Sequence, residues 1–361
     1  MKKWILTILL LLLLPVQAFA ANHTDDHLSF PEDFRIDTQI VNLPNDQALL
    51  ADLPNNRIEI VDLNTSKSLL QQSYDRIFSY DVLASSNKLV LLVEHQQSLQ
   101  KITLSTAQAT TGKILSTVTL PASLYQVISG NSSQLTWSAP TSTTKEQIIV
   151  QSSKQLSIYQ APWKKATLST MPTIQQTFNY ESANPFKVKK ISHYVVAQYH
   201  GGSLMQSQNV FYIWDAAHPT VKGKTITTPW NVDADFQLQH NELILYTTNM
   251  KGNALGVNKD TPFPIYARYN LATGQPTYKM IRTLADRDAE WTTDYNNNQV
   301  FLIDDNEQKN YLYDCNGKEI WQMSKTSDNT VSKFIKYENG LLYMIVENLD
   351  HQFSIVKQPL L

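Results

Sequence analysis

The chain has 361 residues, of which 30 are Lys or Arg and 32 are Asp or Glu, and it contains one cysteine, Cys315. The formal net charge of -2 argues against nucleic-acid binding, which needs a concentrated basic face; lysine pairs such as Lys164-Lys165 and Lys189-Lys190 are scattered and are interpreted as solvated surface charge. One cysteine cannot form an internal disulfide, and the length exceeds that of most single-core domains, so two domains or a repeat architecture is expected.

The first twenty residues have the pattern of a secretory signal peptide. Lys2 and Lys3 precede an apolar run over residues 4–14, and Ala18-Phe19-Ala20 has the small-x-small pattern of a signal-peptidase site. We expect residues 1–20 to be removed, which leaves residues 21–361 as one exported domain, periplasmic or extracellular, without a membrane span. The alternative is an uncleaved N-terminal anchor, although the run is shorter than the ~20 apolar residues of a spanning helix.

Seven segments of one plan follow along the chain, each with two short strands joined by a polar turn. These strand pairs are predicted at residues 38–53, 78–94, 125–140, 186–199, 236–248, 291–304 and 334–347. Six of the seven begin with an aromatic residue: Phe78, Tyr125, Phe186, Phe236, Trp291 and Phe334. A period near fifty residues indicates a repeat architecture, in which we expect the aromatic rings to fill the wedge between neighbouring repeats.

The strands inside each repeat carry two further signals. Second strands such as residues 89–93 are continuous apolar runs, which indicates sheets covered on both faces. Third strands end in an acid or amide at Asp62, Asp215, Asn270 and Asp314. A glycine starts or precedes several fourth strands, at Gly112, Gly223, Gly274 and Gly317. An Asx turn closed by the acid or amide, with the glycine at positive φ, is expected at these positions.

These turns resemble those of the YVTN and PQQ-like repeat propellers, whose blades carry an Asp-x-x-Thr-Gly-Lys turn between the third and fourth strands. The resemblance covers most of residues 38–358, and Trp214-Asp215 also resembles the WD dipeptide of the WD40 propellers. It implies an all-β fold, a seven-bladed β-propeller of four-stranded antiparallel blades. Quinone-dependent members of the PQQ-like class have eight blades and a vicinal disulfide, which one cysteine cannot make, so no cofactor is predicted.

The seventh repeat ends after its third strand, near residues 351–356. An open blade would leave an exposed strand edge, which natural sheets avoid. We therefore expect residues 28–37 to supply the missing outer strand and close the ring. Helical periodicity with proper caps is not found along the sequence.

In such a propeller one face carries the loops that join second to third strands and fourth strands to the next first strand. We call it the top face, and loops on a rigid frame are where binding residues usually lie. The candidate residues predicted there are Asp75, Arg76, His95, His200, Asp233, Asp286, Arg287, Asp304 and His351. An alternative for Asp75-Arg76 and Asp286-Arg287 is that each is a turn-forming ion pair at the entry to a blade.

Two functions are compatible with these residues. The first is a non-catalytic module that binds a protein or carbohydrate ligand at the top face; phosphate loops, nucleophile elbows and His-Glu-x-x-His motifs are missing. The second is a metal-assisted lyase or lactonase acting on a carboxylated sugar or lactone. His95, His200 and His351 would then bind a divalent metal, and Arg76 or Arg287 would orient the carboxylate.

Overall fold

The computed structural model describes residues 38–129, 134–140, 145–152, 155–161, 174–177, 184–203, 206–228, 232–251, 262–283, 290–296, 298–305, 307–325, 329–349 and 353–359. Over these ranges the chain forms 27 β-strands, one α-helix and two single-turn 3-10 helices. The predicted all-β class is confirmed. In the described part of the chain no helix is long and apolar enough to cross a membrane.

Consecutive strands pair antiparallel in units, which we number in chain order. Unit 1 contains β1 (Gln39–Leu43), β2 (Gln47–Asp52), β3 (Arg57–Asp62) and β4 (Ser68–Ser73). Unit 2 contains β5 (Arg76–Leu83), β6 (Lys88–His95), β7 (Ser98–Ser105) and β8 (Ile114–Thr119). The helix α1 (Ala122–Ser129) precedes unit 3, which contains β9 (Gln134–Ser138), β10 (Gln147–Gln151), β11 (Gln155–Gln160) and β12 (Ile174–Thr177).

Units 4 to 6 repeat this plan and are joined by short strand pairings into one sheet of 12 strands. Unit 4 contains β13 (Asn184–Ile191), β14 (Tyr194–Ser203), β15 (Gln206–Asp215) and β16 (Lys224–Thr227). Unit 5 contains β17 (Val232–Gln239), β18 (Glu242–Lys251), β19 (Pro262–Asn270) and β20 (Pro276–Thr283). Unit 6 contains β21 (Glu290–Asn296), β22 (Gln299–Asp304), β23 (Lys309–Asp314) and β24 (Glu319–Ser324).

Unit 7 has three strands in the described part of the chain: β25 (Asn329–Glu338), β26 (Leu341–Asn348) and β27 (Phe353–Pro359). Three strands are also what the sequence pattern predicts for this unit. The strand predicted to complete it, residues 28–37, lies outside the described residues.

The predicted boundaries of the third repeat are wrong. The residues from Tyr125 onward, predicted as the first strand, belong to α1 instead. The segment predicted as the second strand is β9, the first strand of unit 3. Pro121 lacks an N–H, which suits it to a helix start, and its carbonyl accepts hydrogen bonds from Leu124 N and Tyr125 N. Leu120, two residues before α1 begins, and Leu124, four residues further on, are both buried between units 2 and 3. This helical spacing competes successfully with the short apolar-polar alternation that favoured a strand.

The buried apolar side chains of the described residues form clusters that each join two units. Leu89, Leu91 and Val93 of β6 face unit 1, whereas Val90 and Leu92 face unit 3. All five are 3% exposed or less, which confirms that the second strands are covered on both faces. Corresponding clusters join units 3 and 4, 4 and 5, 5 and 6, and 6 and 7.

One further cluster joins the two ends of the described chain. Ile335 and Ile345 of unit 7 pack with Ala48 and Leu50 of unit 1, and all four are 4% exposed or less. Units 7 and 1 therefore contact each other, as units that are neighbours along the chain do. Stacked four-stranded antiparallel sheets of this kind are typical of propellers.

Four of the predicted wedge aromatics lie between units, as expected. Phe78, Phe236, Trp291 and Phe334 are at most 6% exposed, and each belongs to a cluster that spans two units. The side chain of Phe186 lies outside the described part, and Tyr125 lies in α1 instead.

The predicted Asx turns are confirmed, with one exception among the glycines. Asp62, Asp215, Asn270 and Asp314 each accept a backbone N–H within their own turn. Gly112, Gly274 and Gly317 have φ of 80, 71 and 82°. Gly223 does not adopt a positive φ; a Cβ there would lie 2.3 Å from Tyr212 Cζ, so close approach is what requires glycine.

Amide side chains also join each unit to the first strand of the next unit. Gln198 donates to Ala234 O at 2.7 Å, Gln237 to Tyr295 O at 3.0 Å, and Asn296 to Ile335 O at 2.6 Å. Each donor belongs to the unit that precedes the acceptor. These bonds satisfy carbonyls on the first strands, because a buried carbonyl without a partner is destabilising.

Candidate functional site

Six of the nine predicted site residues fall in the described part of the chain. Asp75, Arg76 and His95 lie together in unit 2, His200 lies in β14, Asp233 in β17 and Asp304 in β22. Asp286, Arg287 and His351 lie outside the described residues.

Asp75, Arg76 and His95 lie at one end of unit 2 in a group of polar side chains, which we call the Arg76 cluster and which also contains Glu94 and Tyr125. Asp75 Oδ2 accepts a hydrogen bond from Gln96 N at 2.7 Å, so the loop before β5 is tied to the loop after β6. Arg76 lies opposite Glu94 in the β5–β6 register. The Tyr125 hydroxyl donates to Glu94 Oε1 at 2.6 Å, which brings α1 onto the same surface.

Each side chain in the Arg76 cluster is held by its neighbours. The guanidinium carbon of Arg76 lies 4.6 Å from the centroid of the Phe78 ring, which itself is buried between units 2 and 3. The hydrogen bond to Glu94 and, to a lesser degree, burial raise the pKa of Tyr125, so its hydroxyl is a proton donor at neutral pH. The cluster thus presents a cation, two acids and a phenol in fixed positions.

His95 is half-buried, and its ring makes an edge contact with Tyr74 at a centroid distance of 6.4 Å. The buried His95 Nδ1 has no hydrogen-bond partner among the described residues. A buried polar atom in this state is normally satisfied by water or by a ligand. The imidazole is therefore oriented by packing and retains a nitrogen for an additional contact.

The remaining predicted residues are spread over other units. His200 and Asp233 are exposed and do not join the Arg76 cluster. Asp304 is 2% exposed, and its Oδ1 accepts Glu307 N at 3.0 Å in the turn between β22 and β23. Unit 3 lies between the units of His95 and His200. Over the described ranges no three His, Cys, Asp or Glu side chains are close enough to hold a metal ion.

A second polar cluster was missed by the sequence analysis. It contains Asp81 of β5, Lys187 and Lys189 of β13, and Asp235 of β17, and we call it the central cluster. Lys187 Nζ lies 2.6 and 2.8 Å from the two carboxylate oxygens of Asp235, and the Tyr246 hydroxyl donates to Asp235 Oδ2 at 3.1 Å. Lys189 Nζ donates to Phe236 O at 3.3 Å. The interpretation of Lys189 as solvated surface charge is wrong.

Electrostatic interactions in the central cluster cross from unit 2 to units 4 and 5. Asp81 interacts with Lys189, and Tyr80, its neighbour on β5, interacts with Asp235. First strands of units that are not adjacent in the chain therefore face one another. The sequence signal that could have indicated this is the alternation Lys187-Val188-Lys189, in which only Val188 joins an apolar cluster of the described residues.

Burial and the charges in the central cluster shift its pKa values. Burial, assisted by the positive charge of Lys187, lowers the pKa of Lys189 to about 7. Burial raises the pKa of Asp81, whereas for Asp235 the effect of burial is outweighed by Lys187 and Lys189, which hold its pKa below the usual range. The cluster thus combines a lysine that is partly neutral near pH 7 with a carboxyl group whose charged form is disfavoured by burial.

No protein-family model and no curated protein matches the sequence. Solved structures similar to the chain include Hsv2 of Kluyveromyces lactis, at 11% identity and a TM-score of 0.43 over 89% of this chain and 98% of that chain. Dihydro-heme d1 dehydrogenase NirN in complex with DHE is similar at 9% identity and a TM-score of 0.44, over 89% of this chain and 66% of that chain. A mitotic checkpoint complex chain is similar at 9% identity and a TM-score of 0.42, over 90% and 94%. At these values the similarity identifies neither a family nor a ligand.

We expect the shifted pKa of Lys189 to make stability depend on pH. Between the folded pKa of about 7 and the reference value of 10.5, the unfolded chain binds a proton that the folded chain does not, so the free energy of unfolding rises with pH. Lys189→Met removes this contribution. The free energy of unfolding of this variant should therefore rise less between pH 7 and 9 than that of the wild type, by up to about 1 kcal/mol per pH unit. Urea denaturation at several pH values measures both slopes. Lys67→Met, at an exposed lysine, should keep the wild-type slope; an unchanged slope in Lys189→Met would contradict the assignment.

Proposed function

We propose that the chain is an exported seven-bladed β-propeller that binds a protein or carbohydrate ligand through its top face without catalysing a reaction. Each unit corresponds to one blade, and the top face carries the Arg76 cluster. Export to the periplasm or the cell exterior follows from the signal pattern in residues 1–20, which leaves residues 21–361 as one domain.

Direct contacts between units 7 and 1 support a closed ring. Besides the apolar cluster, Lys336 of β25 reaches across to Asp46, the residue before β2, with an Nζ–Oδ1 distance of 2.8 Å. The Lys336 side chain is 2% exposed and also contacts Glu338 at 2.8 Å. Residues 28–37 would then pair with the outer edge of β27 and complete the seventh blade.

Deleting residues 21–37 should therefore lower the melting temperature by roughly 5 °C or more, because unit 7 loses a strand and its outer edge is exposed. The matched control is deletion of residues 21–27, which leaves the proposed strand intact and should melt close to the full domain. Circular dichroism melts of the two deletions make the comparison. Equal melting temperatures for the two would contradict closure by this segment.

The observation that carries the binding proposal is the Arg76 cluster. Its loops are tied together by the Asp75–Gln96 and Glu94–Tyr125 hydrogen bonds, so little conformational entropy remains to be lost on binding. Arg76 offers a planar donor for a carboxylate, and the Tyr125 hydroxyl held by Glu94 and the Tyr74 ring beside His95 lie at the same end of unit 2. Acidic sugars and peptides present the complementary groups.

Arrays of glycans and peptides probed with purified residues 21–361 should show ligands whose binding weakens by about tenfold or more in Arg76→Ala and His95→Ala. Lys67→Ala is the matched control, because this exposed lysine lies in the turn between β3 and β4, at the opposite end of its unit. Its binding should equal that of the wild type. If the ligands bind to both cluster variants as tightly as to the wild type, the assignment of the site is wrong. Turnover of a lactone or uronide, with loss of activity in His95→Ala, would favour the enzymatic alternative instead.

A further inference from the structure

Two lysines with different surroundings lie in the central cluster. Lys187 and Lys189 are two residues apart on β13 and so lie on the same face of the strand. Each amine lies 5.6 Å from the centroid of the Phe236 ring. Lys187 is held by both oxygens of Asp235, whereas the hydrogen bond of Lys189 goes to a neutral carbonyl, Phe236 O, at 3.3 Å. The two amines thus lie at the same distance from the ring, but Lys187 is bonded to a carboxylate and Lys189 to a neutral carbonyl.

The groups that face Lys189 come from several strands. Asp81 of β5 and Asp235 of β17 interact with it electrostatically, and so does Lys187 on its own strand. Tyr80 of β5 and Tyr246 of β18 both interact with Asp235. The Lys187 and Asp235 side chains remain 15% and 20% exposed, so water reaches this part of the molecule. A ligand of this site would have to be small enough to enter beside these two side chains.

We propose that Lys189 is the nucleophile of a second binding site, which takes a small aldehyde or ketone and holds it as an imine. A lysine becomes nucleophilic when it is desolvated or placed next to another cation, and Lys189 has both surroundings. With a pKa of about 7, roughly half of the Lys189 side chains carry the free amine at neutral pH. Lys187 acts indirectly, since its charge favours the neutral form of its neighbour.

The proposed reaction balances without an oxidant or reductant. The amine lone pair attacks the carbonyl carbon, and one amine proton passes to the former carbonyl oxygen to give a carbinolamine. Asp81, whose pKa is raised by burial, donates a proton to the hydroxyl group, which leaves as water. The resulting iminium returns its N–H proton to the Asp81 carboxylate, and the neutral imine remains.

Acetaldehyde at one equivalent per chain, with cyanoborohydride present to reduce the imine, is the probe. Peptide mapping of residues 21–361 should place the ethyl group on Lys189, and the labelling rate should reach half its maximum near pH 7. Lys189→Arg keeps a cation but cannot form the imine, and should lose this label. Lys190→Arg, at the next position on β13, should keep it. Asp81→Asn should slow labelling by about tenfold or more at the same position.

The proposal would be overturned if exposed lysines were labelled as fast as Lys189. It would also be overturned if the labelling rate of Lys189→Arg equalled that of the wild type. If Lys189→Arg fails to fold, the wild-type protein supplies the test. Selectivity for Lys189 should be present in buffer and absent in urea; equal selectivity in both would also overturn it. The Arg76 cluster shares no residue with this site, so neither result bears on ligand binding at the top face.

Discussion

The structure depends on the burial of two apolar faces on every unit. The second strand of a unit sends alternate side chains to the preceding and the following unit, as β6 does with Leu91 and Leu92. Burial contributes about 25 cal/mol per Å² of apolar surface, so a unit with an uncovered face forfeits a large part of its stability. A linear stack would leave one bare face at each end. Contact between units 7 and 1 removes both bare faces at once.

The first strands form one edge of most units. Stacking of this kind leaves backbone carbonyls on these strands that need hydrogen-bond donors. Amides such as Gln198 and Asn296 donate to the carbonyls of the next first strand. The same strands bring Lys189 and Asp235 next to each other in surroundings with little water, where charges interact more strongly and cost more to bury. The shifted pKa values of the central cluster follow from this placement, and so does the chemistry proposed for Lys189.

Features that depend only on neighbouring residues in the chain could be predicted from the sequence. The apolar second strands, the Asx turns and the three strands described in unit 7 are local patterns. The placement of Asp75 and His95 at one end of unit 2 followed from strand order alone. Tyr125 was misplaced because a short segment can alternate like a strand and still carry helical spacing. The central cluster could not be predicted, because Asp81, Lys189 and Asp235 come from three units and meet only after the units have stacked.

The contact between units 7 and 1 is tested most directly by a double-mutant cycle on Asp46 and Lys336, which are 290 residues apart in the chain. The unfolding free energies of Asp46→Asn, Lys336→Met and the double variant would be measured by urea denaturation at pH 7. The ion pair, with its Lys336 side chain buried, predicts a coupling energy of about 1 kcal/mol between the two sites. Coupling should weaken as the pH falls through the pKa of Asp46, which Lys336 holds below its usual value. Additive effects at pH 7 would contradict the contact between units 7 and 1.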